Sequence, residues 1–114
     1  MKFFRLEEFD CTHTGKNEMN QEFLDKLDQL REECDFPFKI TSGFRDSSHP
    51  NEARKQTPGT HSRGIAADIQ VLDGLHRHLL VKKALEMNFT GIGVAKTFVH
   101  VDIRDTTPVM WTYS

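Results

Sequence analysis

The sequence is poor in most of the residues that mark specialised classes of protein. It has two cysteines, one tryptophan, one tyrosine and four prolines in 114 residues. Two cysteines are too few for the disulfide framework of a small secreted domain, and their spacing matches no zinc module. We therefore interpret Cys11 and Cys34 as buried free thiols. No apolar run approaches the roughly 20 residues that a membrane-spanning helix needs.

An excess of charge of one sign is lacking as well. Fifteen Lys and Arg against seventeen Asp and Glu give a formal net charge of −2, and no basic cluster marks a nucleic-acid interface. The length predicts one domain over residues 1–114. The opening residues soon become acidic, at Glu7 and Glu8, and do not resemble a secretory signal. We expect a protein made in the cytoplasm, with no nucleic-acid partner and no membrane span.

Local patterns predict two helices and four strands. Apolar residues recur at helical spacing over 20–34 and 74–88, with Asn20 and Asp73 as N-caps. The second helix should have a broad apolar side that includes Leu75 and Leu85. Strands are predicted over 38–42, 65–71, 91–95 and 98–104. We therefore expect an α+β fold in which a small, mostly antiparallel sheet packs both helices on one face and leaves the other for a site.

Metal-binding chemistry is concentrated around residues 61–68. His61 and Asp68 can face one point if His61 ends a loop and Asp68 lies on the strand that follows. His100 alternates with valines, so its side chain should point away from the helices. Two imidazoles and one carboxylate suit a zinc ion that keeps a fourth position open, as catalytic zinc sites do. We interpret the remaining histidines as loop or surface residues: His13, His49, His76 and His78.

The pattern His-x-x-Gly-x-Ala-x-Asp over 61–68, followed by Val-His-Val-Asp over 99–102, resembles a known family. It is similar to the zinc D-Ala-D-Ala carboxypeptidases and L-Ala-D-Glu endopeptidases of hedgehog-like fold. Ser-Gly-Phe-Arg over 42–45 and Gly-Ile-Gly-Val over 91–94 resemble further elements of that family. The chain departs from the pattern at Gly59, where the family usually has Ser, and this should weaken a hydrogen bond near His61.

The resemblance implies a peptidase that binds Zn²⁺ through His61, Asp68 and His100. Branches of the family place a catalytic Glu three residues before the last ligand, where this chain has Thr97. Asp102 is our candidate for the general base, and the alternative is a carboxylate that orients a ligand imidazole.

Arginines are the candidates for contacting substrate. Arg45 would stabilise an oxyanion or bind a substrate carboxylate, and Arg104 is a weaker candidate for the same task. Asn51 is a further substrate-binding candidate in a polar loop over 46–60. The implied substrate is a peptide bond involving a D-amino acid in bacterial cell-wall peptidoglycan.

Three readings of the function remain open. A small domain of this kind resembles a phage or prophage lysin, a monomer that acts on the wall after release or delivery. A zinc-stabilised wall-binding or phage structural module is favoured by the missing Glu, whereas Arg45 and Asp102 favour an enzyme. An amidase would use the same zinc site on another bond. Trp111 either packs over the sheet edge or lines the groove.

Overall fold

The computed structural model describes residues 1–50 and 59–113. Two α-helices run over Gln21–Cys34 (α1) and Gly74–Glu86 (α2), after a short 3-10 helix over Leu6–Phe9. The strands are β1 Ile40–Ser42, β2 Ala66–Gln70, β3 Gly91–Val94, β4 Phe98–Asp102 and β5 Val109–Thr112. The predicted α+β fold is confirmed, and the predicted helices and first four strands agree with these bounds to within two residues.

The five strands form one sheet in the order β1-β2-β4-β3-β5. Neighbouring strands are antiparallel except for the parallel pair of β3 and β5. The fifth strand was not predicted. Three of its four residues are exposed, so the segment lacks the alternation of apolar and polar residues that marks a half-buried strand. Its pairing with β3 is a long-range contact that the local pattern does not encode.

The core lies between the helices and one face of the sheet. Its main contributors from α1, β2 and β4 are Phe23, Leu24, Leu27, Leu30, Ala67, Ile69, Val99 and Val101. Fully burying one of the larger of these side chains is worth about 1.5–3 kcal/mol. Because successive side chains on a strand point to opposite faces, Asp68, His100 and Asp102 project from the face that the helices do not cover.

The N-cap and stop signals of α1 act as the sequence predicts. The side chain of Asn20 accepts a hydrogen bond from the Phe23 N–H at 2.9 Å, which satisfies one of the N–H groups left open at a helix start. Asp35 adopts a φ of 56° at the other end. This left-handed conformation ends the helix two residues before Pro37.

The second helix is less buried than its sequence predicts. Asp73 caps it by accepting from the His76 N–H at 2.8 Å, as expected. Leu80 is fully buried, but Leu75 and Leu85 are 75% and 53% exposed, so the predicted broad apolar side was wrong at these positions. Each is five residues from Leu80, about 140° around the helix, so neither can face the sheet together with it.

Both cysteines are buried and unpaired, as predicted. Burial raises the pKa of the Cys34 thiol to about 11, so this thiol is protonated and unreactive near neutral pH. Neither α-helix in the described ranges has the length and apolar character that crossing a membrane requires.

Candidate metal centre

His61, Asp68 and His100 meet on the sheet face opposite the helices. Asp68 and His100 are directly paired across the antiparallel strands β2 and β4. His61 lies in the turn before β2, and Gly64 closes that turn with a φ of 72°. A side chain at Gly64 would also collide with the carbonyl oxygen of Glu18. The glycine of the sequence motif is therefore required by the turn that presents His61.

The potential ligand atoms of these three residues lie within contact distance of one another. Nε2 of His61 is 3.2 Å from Nδ1 of His100. Oδ1 of Asp68 is 3.0 Å from Nδ1 of His100 and 3.2 Å from Nε2 of His61. The exposed fractions of the residues are 6% for His61, 6% for Asp68 and 3% for His100. Bulk water therefore has little access to these atoms.

Hydrogen bonds on the outer side of each ring determine which nitrogen faces the cluster. Nδ1 of His61 lies 2.8 Å from the carbonyl oxygen of Gly43, which can only accept, so Nδ1 carries the proton. Nε2 of His100 lies 2.7 Å from Oδ2 of Asp102 and donates to that carboxylate. The inner nitrogens, Nε2 of His61 and Nδ1 of His100, are then the ring atoms that face each other and Asp68 and that could bind a cation.

Two imidazole nitrogens and one carboxylate oxygen thus face one point. Either a proton or a cation must be shared there, because buried acceptors without a positive partner are costly. Zn²⁺ fits this donor set, because it binds imidazole nitrogen and carboxylate oxygen at about 2.0–2.2 Å, which places two ligand atoms on a tetrahedral ion about 3.3 Å apart. The observed separations of 3.0 and 3.2 Å are close to that value.

The charges of the cluster agree with a cation site. Burial by itself raises the pKa of the Asp68 carboxyl, but hydrogen bonds with His100 and His61 outweigh burial and hold that pKa below its usual range. Burial lowers the pKa of His100, but its hydrogen bonds with Asp102 and Asp68 raise it on balance. Asp68 is therefore ionised, and the cluster as a whole favours positive charge.

Asp102 lies behind His100, on the side of the ring away from the cluster. It is fully buried. Its Oδ2 accepts from His100 at 2.7 Å and from Nη2 of Arg104 at 2.7 Å, and its Oδ1 accepts from Nε of Arg104 at 3.0 Å. A general base must reach the attacking water, and the imidazole of His100 stands in between. This geometry favours the predicted alternative, an orienting carboxylate, over Asp102 as the base.

Two glycines on β3 make room for the side chains of this face. A Cβ at Gly91 would collide with the carboxylate of Asp102, and one at Gly93 would lie 2.6 Å from Nε1 of Trp111. Both glycines lie on the site face because they are two residues apart on a strand. The Gly-x-Gly spacing therefore has a packing cause, whereas the sequence alone shows only that it resembles a family motif.

Arg45 lies at the edge of the cluster, as the sequence predicts. Its Nη2 is 3.6 Å from Oδ2 of Asp68, and its side chain is 18% exposed. Its Nε donates to the Ser42 hydroxyl at 3.1 Å. Arg104 has a different position, with its guanidinium paired to Asp102 and lying 4.9 Å from the ring centre of Trp111. Arg45 is thus placed to act on a substrate at the cluster, whereas Arg104 chiefly holds Asp102.

The cluster opens into a cavity of about 670 Å³. The described lining consists of Arg45, Gly59, Thr60, His61, Arg63, Asp68, Phe98, His100, Arg104, Thr106, Trp111 and Tyr113. Trp111 lines this groove, with its ring centre 5.1 Å from that of His100. It also packs over Gly93, so both readings of its position apply. The predicted candidate Asn51 lies outside the described residues.

Several lining residues were not predicted as site residues, among them Arg63, Phe98 and Tyr113. Arg63 lies within the His-x-x-Gly turn, and Phe98 precedes His100 by two residues on the same strand face. Both could have been found by extending the motif and the alternation. Tyr113 could not, because its position depends on the unpredicted strand β5. Thr97, where branches of the resembled family have Glu, lies in the exposed turn between β3 and β4.

The four other histidines stay outside the cluster. Among the described residues, none of them joins a group of three side chains that could hold a metal. His76 stacks on Phe36 at 4.1 Å between ring centres, and His13 and His49 lie 6.1 Å apart.

Comparison with known proteins agrees with this geometry. The family model described as Peptidase M15 matches residues 2–102. No curated protein matches the chain. The match covers the three clustered residues, Arg45 and Asp102, and it ends before most of the tail that lines the cavity.

Proposed function

This chain belongs to the peptidase M15 family, and we propose that it is a zinc-dependent peptidase of the bacterial cell wall. The bond cut involves a D-amino acid of peptidoglycan, at the end of a peptide or within it. One observation carries the proposal: three buried potential ligand atoms of His61, Asp68 and His100 converge beside Arg45. Such a cluster can be stabilised by a bound cation.

Some residues of the site would bind the metal ion, and others orient the side chains that bind it. His61, Asp68 and His100 would hold the ion, which when bound polarises a carbonyl and lowers the pKa of a water to about 7. The carbonyl of Gly43 and the carboxylate of Asp102 fix the tautomers and directions of the two imidazoles. Asp102 is thus proposed as a positioning residue.

Arg45 supports a peptide substrate that carries a carboxylate. Its guanidinium lies beside the cluster on the cavity wall, where a fixed cation recognises a carboxylate or an oxyanion. In the reaction, the water oxygen bonds to the carbonyl carbon, the C–N bond breaks, and a proton from the water ends on the leaving amine. A peptide of the cell wall supplies both the amide and the carboxylate.

A second candidate is a zinc-stabilised wall-binding or phage structural module without peptidase activity. Two observations favour it. Thr97 stands where branches of the family have Glu, and Asp68 is the one carboxylate in the described lining of the cavity. The described cavity lining then contains no carboxylate besides Asp68 that could accept a proton from the attacking water as a general base.

Digestion of purified peptidoglycan by the zinc-loaded protein separates the candidates. Mass spectrometry of the fragments should show new termini at one type of bond beside a D-residue. Release of stem peptides from the sugar would instead identify an amidase. One zinc per chain without any fragment would support the non-catalytic module. His61→Ala should lose both zinc and cleavage, whereas His78→Ala, on the exposed side of α2, should keep both.

The setting of the reaction is part of the same proposal. We propose a monomer that acts on the wall after release or delivery, as a phage or prophage lysin does. Light scattering of the zinc-loaded protein should give the mass of one chain, and lysis of cells treated from outside tests the site of action.

A further inference from the structure

The tail of the chain contributes a third of the described cavity lining, although the family match ends at residue 102. Arg104, Thr106, Trp111 and Tyr113 all come from this tail. Strand β5 holds it in place through its parallel pairing with β3. Properties that distinguish this chain within its family can therefore originate here.

Tyr113 is held in this wall from three sides. Its N–H donates to the carbonyl of Val94 at 3.2 Å, which continues the pairing of β5 with β3. Its ring lies 4.9 Å from the ring of Phe98, two residues before His100. The ring of Trp111 lies 6.4 Å away between ring centres. Trp111 in turn contacts His100, so the two aromatic rings run outward from the metal cluster.

The phenol has the chemistry of a neutral hydrogen-bond donor. Burial raises its pKa, and the charges of Asp68 and Asp102 act in the same direction as burial. The hydroxyl therefore stays protonated across the working pH range. Arg104 is already paired to Asp102, and Arg45, 3.6 Å from Asp68, is proposed to bind the substrate carboxylate.

We propose that the hydroxyl of Tyr113 donates a hydrogen bond to the scissile carbonyl oxygen as that oxygen becomes negatively charged. This inference rests on the proposed peptidase function and adds a catalytic residue to it. The water oxygen bonds to the carbonyl carbon while the π pair moves onto the carbonyl oxygen. That pair returns as the C–N bond breaks, and the amine leaves with a proton that came from the water. The phenol keeps its own proton throughout.

Tyr113→Phe tests this role because it removes the hydroxyl and keeps the ring against Phe98 and Trp111. Loss of one oxyanion donor typically lowers kcat by about 10²–10³-fold. We expect a fall in kcat of about that size, with KM, zinc content and melting temperature unchanged. Thr112→Val is the matched control, since it removes an exposed hydroxyl from the last residue of β5, immediately before Tyr113, and should leave all four quantities unchanged.

A second measurement does not depend on turnover. A phosphinate peptide made at the bond that the wild-type protein cuts carries a tetrahedral, negatively charged oxygen. Tyr113→Phe should weaken its binding in proportion to the loss of kcat/KM, while binding of the product peptide stays unchanged. A structural role of Tyr113 would weaken both ligands together, or lower zinc content and melting temperature, and would overturn the inference.

The outcomes also separate the inference from the function on which it rests. If the wild-type protein binds zinc but cuts no wall peptide, both the proposed function and the role of Tyr113 are refuted. If the wild-type protein cuts and the kcat of Tyr113→Phe lies within twofold of the wild-type value, only the role of Tyr113 is refuted.

Discussion

Replacement of Asp102 by Asn is the sharpest test of how the metal centre is built. The carboxylate accepts from both His100 and Arg104, whereas an amide has a single oxygen. If that oxygen faces Arg104, the NH₂ group faces Nε2 of His100 and moves the ring proton to Nδ1, where the lone pair for the metal is needed. If the oxygen faces His100, Arg104 loses its buried partner.

The magnitude follows from these contacts. Changing the partner that orients a ligand imidazole typically weakens metal affinity 10–100-fold, about 1.4–2.7 kcal/mol. The metal-free protein should also lose about 1–3 kcal/mol of folding free energy, because Asp102 is fully buried and the amide leaves one of its hydrogen bonds unmade. A general base would behave differently, since its loss abolishes cleavage and leaves zinc binding intact.

The assay is a zinc titration against a competing chelator, with chemical denaturation of the metal-free protein alongside. Asp105→Asn is the control, because the Asp105 side chain is 84% exposed and makes the same change of charge three residues away. An Asp102→Asn variant with a zinc Kd within twofold of the wild type would refute the orienting role and restore Asp102 as a candidate base.

Three further predictions concern the surroundings of the site. Gly93→Ala should displace Trp111, because the added Cβ would lie 2.6 Å from its Nε1. We expect the free energy of unfolding to fall by about 1–3 kcal/mol and the fluorescence of this single tryptophan to shift. An unchanged emission spectrum would contradict the packing of Trp111 on Gly93. Arg45→Gln should raise KM for wall peptides that carry a free carboxylate, but not for the amidated peptides, in steady-state assays; an equal rise for both would exclude carboxylate recognition. The free energy of unfolding should fall as the pH rises from about 9 to about 11, because the folded state holds the Cys34 pKa near 11 while the thiol of the unfolded chain ionises at lower pH. Chemical denaturation over a pH series checks the sign of this change. The same series on Cys34→Ala should lack this part of the fall.

The fold could be predicted wherever the local conformation depends only on a residue and its neighbours in sequence. Asn20 and Asp73 cap helices through bonds to residues three positions on, and the alternation around His100 correctly placed it on the face opposite the core. Prediction failed where distant parts of the chain decide. Leu75 and Leu85 are apolar, yet the sheet meets α2 along another side. Strand β5 exists because β3 offers it a free edge, which no pattern in the tail records.

The candidate site divides in the same way. By itself the sequence identified the three residues that cluster, because His61, Asp68 and His100 stand in a motif whose spacing puts a loop, a strand and a second strand at one point. Only the tertiary structure shows that Asp102 lies behind His100 and contacts its Nε2. Strand alternation places His100 and Asp102 on the same face, but it does not say which ring nitrogen turns toward the metal site, and the rotation of the ring fixes that. The tertiary structure likewise brought Tyr113 to the cavity, since the pairing of β5 with β3 joins segments that the sequence keeps apart.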